Sequence, residues 1–176
     1  HVDKKHGDND LEKVVYFTFD AGYENGNVEK TLDILKQENV PGAFFVLGNL
    51  VTSNPDLINR MLKEGHTVCN HTYSHKNVTK FTKEQFREEL NKLEDAYTQC
   101  TGEVLSKYYR PPEGKFSFDN IKHANELGYK TVFWYGGFSG WQNLKRFALA
   151  QSFDEFHCAD EFTYIVGSPQ FKGCNK

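Results

Sequence analysis

Three short clusters in this chain hold residues whose types and spacing can do chemistry. Asn70-His71-Thr72-Tyr73-Ser74-His75 places two imidazoles four residues apart. Neutral imidazoles at that spacing can grip one divalent cation, with zinc and cobalt among the candidates. The pattern is short, and a bare HxxxH is more often two unrelated surface or capping histidines. Thr18-Phe19-Asp20-Ala21-Gly22-Tyr23-Glu24-Asn25-Gly26 sets a carboxylate, Asp20, at the end of a β-rich run. An acid there suits a general base or a metal ligand. It equally suits a structural turn in which Asp20 bonds loop amides and Asn25 or Gly26 caps the next helix. Tyr109-Arg110-Pro111-Pro112-Glu113-Gly114 is a loop stiffened by two prolines that presents an arginine. Arginine can hold a carboxylate by two parallel hydrogen bonds and lower its pKa. A rigid surface turn is the plainer alternative.

These clusters need a frame, and β-type and helix-type segments alternate around them. Val14–Phe19, Ala43–Leu47, His66–Cys69, Lys107–Tyr109 and Lys130–Trp134 read as five short strands. Val28, Leu32 and Leu35 share one face of a helix over Val28–Glu38. Asn54-Pro55 opens a helix that runs through Lys63, with Asn54 as the cap and Gly65 as the stop. Thr82–Gln99 is the longest helical stretch, and Thr82 with Gln85 forms a capping box. Ser117–Leu127 is a helix closed by Gly128. This alternation predicts an α/β fold, a parallel sheet with covering helices. Asp20, His71 and Arg110 each follow a strand, where parallel α/β folds build their sites.

In order and spacing, TFDAG at 18–22, HTYSH at 71–75 and RPPEG at 110–114 resemble the polysaccharide deacetylase family. This is carbohydrate esterase family four, built on the NodB-homology domain. TFDAGYENG with RPPEGKFS looks most like the branch that deacetylates muramic acid in peptidoglycan, including the muramic-lactam enzymes of spore cortex. The resemblance covers Val14 to Trp134 and implies a distorted parallel β/α barrel. It implies metal-dependent hydrolysis of N-acetyl groups from a cell-wall glycan, peptidoglycan or a chitin-like polymer. Asp20 would be the catalytic base, taking a proton from a metal-activated water. Arg110 would orient that base, and His71 and His75 would hold a divalent metal, zinc or cobalt. Thr72 would keep the metal loop in shape. A backbone N–H near Pro112 or Glu113 would stabilise the oxyanion, and Trp134 would support the substrate side. Two other readings stand beside it: a non-catalytic glycan-binding relative, and an O-acetyl esterase acting on a xylan-like polysaccharide.

The chain departs from that family in two places. The second acid of the family's TFDD motif is Ala21 here, which cannot ligate a metal, although the muramic branch commonly lacks that acid. From Tyr135 onward the strand–helix order is lost. Phe138-Ser139-Gly140-Trp141 lacks the acid that the family places before tryptophan, and no strand ends in the Leu-His that supplies its general acid. His123 falls inside a helix and His157 has no strand before it. The barrel is therefore expected to be incomplete or atypical at its C-terminal end. Either a reading-frame shift or truncation, or a degraded family member, accounts for residues 135–176.

Composition sets the outer bounds. A length of 176 residues predicts one domain, here 14–176, behind a polar, flexible lead-in at 1–13. A net charge of −3 gives no basic field for nucleic acid. The longest apolar runs, such as Ala43–Leu47, fall far short of the roughly 18 residues a membrane span requires. Aromatics are abundant, with 15 Phe and 9 Tyr, and most of the Phe are assigned to the core. Cys69, Cys100, Cys158 and Cys174 include no CxxC pair, so they make no zinc knuckle and leave the compartment undecided. The start at His1 rather than Met is that of a processed or trimmed chain. A glycan substrate of this kind places the protein outside the cell, peripheral to the wall, and the chain is expected to be a monomer.

Overall fold

Strand β1 is Phe17–Ala21 in the computed structural model, which describes residues 16–133. Asp20 and Ala21 are thus the last residues of the strand rather than the loop after it. Helix α1 (Asn27–Gln37) follows from Gly26, whose φ of 84° provides the left-handed entry; no side chain caps this helix. Its buried face is Val28, Thr31, Leu32, Ile34 and Leu35, the helical repeat seen in the sequence. Strand β2 (Gly42–Val46) is buried on both faces, as parallel strands between covering layers are. Phe44 stacks on Phe19 at 4.9 Å between ring centroids.

Helix α2 (Gly48–Ser53) was not anticipated. Its six residues are too few to show a helical period in sequence. It shares Asn54 with helix α3 (Pro55–Lys63). Asn54 does not cap α3 with its side chain, contrary to expectation. Its N–H closes α2 onto the Leu50 carbonyl at 3.0 Å, and its ψ of 57° departs from the extended geometry an N-cap uses. Pro55 does occupy the first turn of α3. Strand β3 is Thr67–Asn70.

Helix α4 (Lys83–Thr101) starts with the anticipated capping box between Thr82 and Gln85, and Gly102 ends it at φ 76°. Caps of this kind contribute roughly 1 kcal/mol. Phe86, Leu90, Leu93 and Tyr97 recur along one face and are buried. Burying each such side chain stabilises the fold by roughly 1.5–3 kcal/mol. Phe86 and Leu90 share a core cluster with Val78, Tyr109, Ala124 and Tyr129. Strand β4 is only Tyr108–Tyr109, helix α5 is Phe118–Glu126, and strand β5 is Lys130–Thr131. Ser117 and Asn120 form a second capping box at the start of α5, not read from the sequence.

The five strands lie side by side in the order β1-β2-β3-β4-β5. The pairs β2–β3, β3–β4 and β4–β5 are parallel. This is the strand order of a β/α barrel, with each crossover covered by helix. Strand β5 stops three residues before the anticipated Trp134. The Val132 N–H makes one further bond, to the Tyr109 carbonyl at 2.8 Å. Beyond Arg110 the neighbouring chain is Pro111-Pro112, which has no N–H groups to extend a ladder. Among the described residues, no helix is long and apolar enough to cross a membrane, and Cys69 and Cys100 are free thiols. The lead-in at 1–13, the atypical segment 135–176, Trp134, His157, Cys158 and Cys174 lie outside the described residues.

Candidate active site

The parallel register carries the three clusters to one end of the sheet. The His71 N–H donates to the Val46 carbonyl at 3.1 Å, and the Arg110 N–H donates to the Asn70 carbonyl at 3.0 Å. Each residue is therefore locked to the neighbouring strand as it leaves its own. Asp20 is at the same end, on β1.

Arg110 is 1% exposed. Its guanidinium carbon lies 4.0 Å from the centroid of the Phe45 ring. Its Nη1 donates to Asp20 Oδ1 at 2.7 Å. A guanidinium keeps its charge when buried and tolerates an aromatic face, so it can serve as a fixed donor where an ammonium would not. The Asp20 side chain is more open, at 28% exposed. One carboxylate oxygen is therefore anchored, while the other, Oδ2, faces His71 Nε2 at 3.7 Å.

Burial pushes the His71 pKa down, outweighing the opposite pull of Asp20 and of the Arg110 carbonyl. The ring is thus neutral at physiological pH. Its Nδ1 lies 2.9 Å from the Arg110 carbonyl oxygen, which can only accept, so Nδ1 carries the proton. Nε2 then presents a lone pair toward Asp20 Oδ2. Two acceptors at 3.7 Å repel unless a cation or a proton donor lies between them. A backbone carbonyl behind a neutral, oriented imidazole is also the usual outer partner of a metal-binding histidine. His75 brings a second imidazole, with ring centroids 5.0 Å apart. The donor set therefore fits a divalent cation. Among the described residues, no three His, Cys, Asp or Glu side chains form a complete ligand set.

The histidine loop is held in an uncommon shape. Thr72 and His75 have φ of 69° and 56°, in the left-handed region. Thr72 Oγ1 accepts from the His75 N–H at 3.1 Å, a bond internal to the loop. Asn70, fully buried, was not singled out from the sequence. Its Oδ1 accepts from the Thr72 N–H at 2.9 Å, and its Nδ2 donates to the Leu90 carbonyl and the Tyr129 hydroxyl. Glu89 and Phe45 lie on ordinary helix and strand faces, so their types and spacing carry no signal in the sequence. Asn70 did carry a signal, directly preceding His71. Of the Pro112–Glu113 pair, Pro112 has no N–H, so Glu113 alone has an amide to donate. Glu113 is exposed and lies at φ 57° in a single 3-10 turn, Pro112–Gly114. Trp134 is outside the described residues. His123 lies in α5 with its ring 6.4 Å from Phe86.

The site thus sets an acid gripped by a buried arginine beside two imidazoles at one end of a parallel sheet. A family model described as polysaccharide deacetylase matches residues 7–132. The chain belongs to the polysaccharide deacetylase family. The chain is 41% identical over 153 residues to the peptidoglycan-N-acetylmuramic acid deacetylase PdaA of Bacillus subtilis, covering 85% of this chain and 58% of that protein. It is 35% identical over 130 residues to a peptidoglycan-N-acetylglucosamine deacetylase of Bacillus cereus, covering 74% of this chain and 47% of the relative. Among solved structures, a family 4 carbohydrate esterase from Bacillus anthracis superposes with a TM-score of 0.74 at 34% identity, covering 82% of this chain and 78% of that one. The chain spans about half the length of the curated relatives it matches.

Proposed function

We propose that the protein hydrolyses N-acetyl groups from a cell-wall glycan, with peptidoglycan as the substrate. The observation that carries this reading is Asp20 itself. One of its oxygens is fixed by Arg110 at 2.7 Å, and the other faces the unprotonated Nε2 of His71 at 3.7 Å. His71 and His75 are the residues that would hold a divalent cation, zinc or cobalt. Such a cation supplies Lewis-acid polarisation of an acetamide carbonyl. Asp20 Oδ2 is the base that removes a proton from the attacking water. Arg110 keeps the carboxylate aimed and excludes water from its far side. The Glu113 amide is the backbone donor available to the oxyanion that develops on the carbonyl. Similarity to deacetylases named for muramic acid and for glucosamine supports a peptidoglycan substrate. Such a substrate places the protein at the wall, outside the cell.

A second reading, glycan binding without turnover, rests on the sequence of residues 135–176, which carries no Leu-His pair. Acetate release from purified peptidoglycan strands, with Zn²⁺ or Co²⁺ added, separates the two. Release that falls about 10²–10⁴-fold in Asp20→Asn supports the enzyme. Pelleting of the protein with peptidoglycan, with no acetate released, would establish the binding protein instead.

A further inference from the structure

We propose that Glu89, on helix α4, is the positioning residue that sets the two imidazoles of the histidine loop relative to each other. This rests on the reading of His71 and His75 as cation ligands. Thr72 and His75 hold left-handed backbone angles that non-glycine residues keep only when their surroundings impose them. The bonds from Thr72 N–H to Asn70 and from His75 N–H to Thr72 lie inside the loop and move with it. Among the bonds that reach the loop from outside, two come from consecutive residues of α4. The Leu90 carbonyl accepts from Asn70 Nδ2 at 3.2 Å, directly before His71. Glu89 Oε2 accepts from both the N–H and the hydroxyl of Ser74, at 3.0 and 2.8 Å, directly before His75.

Each imidazole is therefore preceded by a residue bonded to the same helical turn. A carboxylate that is 8% exposed demands hydrogen-bond donors, and Ser74 provides two at a single oxygen. The capping box and the buried Phe86–Tyr97 face hold α4 itself rigid, so the spacing is transmitted from a stable element.

The test uses the full chain and four variants: Glu89→Ala, Glu89→Gln, Ser74→Ala and, as a control, Glu88→Ala, whose side chain is exposed and pairs with Lys92. Zn²⁺ affinity is measured by calorimetry, and amide hydrogen exchange is measured on the metal-free protein. Glu89→Ala is expected to weaken Zn²⁺ binding by roughly 10–100-fold. It is also expected to speed exchange at Ser74 and His75, while Leu93–Tyr97 exchange as before. Glu89→Gln, which keeps one accepting oxygen, should recover part of both effects, and Glu88→Ala should change neither. If Glu89→Ala does not fold, Glu89→Gln and Ser74→Ala carry the comparison. Affinity within twofold of wild type, or exchange rising equally along α4 and the loop, would overturn the proposal. If wild type takes up no Zn²⁺, the cation reading fails separately. Loop-specific exchange then still decides on Glu89: faster exchange in Glu89→Ala supports it, and unchanged exchange sinks it.

Discussion

Arg110 and Asp20, 90 residues apart in the chain, meet at 2.7 Å in a contact that is sealed on the arginine side and open on the aspartate side. Asp20 Oδ1 accepts from Arg110 while its Oδ2 faces His71 at 3.7 Å.

A lysine cannot reproduce that arrangement, because its compact ammonium cannot both cover Phe45 and direct a planar fork at the carboxylate. Arg110→Lys should lower kcat for acetate release by on the order of 10²-fold, the loss typical of a misplaced catalytic group. KM should change much less. Steady-state kinetics on acetylated glycan oligomers check this, and a kcat within a few-fold of wild type would show that Asp20 needs no arginine.

Gly48 lies against the histidine loop. Its N–H donates to the Tyr73 carbonyl at 3.0 Å, and a Cβ added there would come within 2.4 Å of the Tyr73 ring. Gly48→Ala must push Tyr73, and the loop that carries it, outward. Overpacking of this kind costs about 1–3 kcal/mol. Denaturant unfolding should show that loss, and Zn²⁺ calorimetry should show weakened binding in the same variant. Unchanged binding would mean that the ring rotates aside without moving the histidines.

Phe86 ties α4 to β4, its ring edge-on to Tyr109 at 5.5 Å and fully buried. Phe86→Ala should destabilise the fold by about 3–5 kcal/mol. Urea unfolding followed by circular dichroism measures it. A loss under 1 kcal/mol would mean that the core around Tyr109 collapses to fill the space.

At the opposite end of the sheet, His66 Nδ1 accepts from the Gly42 N–H at 3.0 Å, and its other nitrogen lies 4.0 Å from Glu64. Burial lowers the His66 pKa below 6.5, against the upward pull of Glu64. Burial raises that of Glu64, but Arg60 and Lys36 outweigh it and leave the carboxyl below 4.5. In both cases the unfolded chain binds the proton more readily, so stability is lost as pH falls. The His66 contribution is whole above pH 6.5 and declines below it; the Glu64 contribution is whole above pH 4.5 and declines below that. His66→Gln should flatten the Tm profile just below pH 6.5 and leave the steeper acid loss in place. An unaltered profile would assign the upper decline to another group.

The elements and the members of the site follow from short-range rules that act along the chain. The apolar repeat of α1 and α4, the Thr82–Gln85 box and the β-rich runs involve neighbours a few residues apart, so they are visible without coordinates. So is the placement of Asp20, His71 and Arg110 at strand ends, because in a parallel sheet all strands point the same way. Element ends and short pieces were less visible. Helix α2 has too few residues for a period, and β5 stops where its neighbour becomes Pro111-Pro112.

Tertiary structure alone decided which oxygen of Asp20 meets Arg110, which nitrogen of His71 carries the proton, and which residues stand behind them. The proton on Nδ1 follows from the Arg110 carbonyl, brought there by the β3–β4 register. Phe45 serves as the platform for a buried cation because β2 lies between β1 and β3. Glu89 in sequence is one more acid on a charged helix, and only the packing of α4 over β3 turns it toward Ser74. The physical reason is the same in each case. Periodicity records which face of an element is buried, whereas hydrogen-bond partners depend on how distant elements are aligned, and no local pattern carries that alignment.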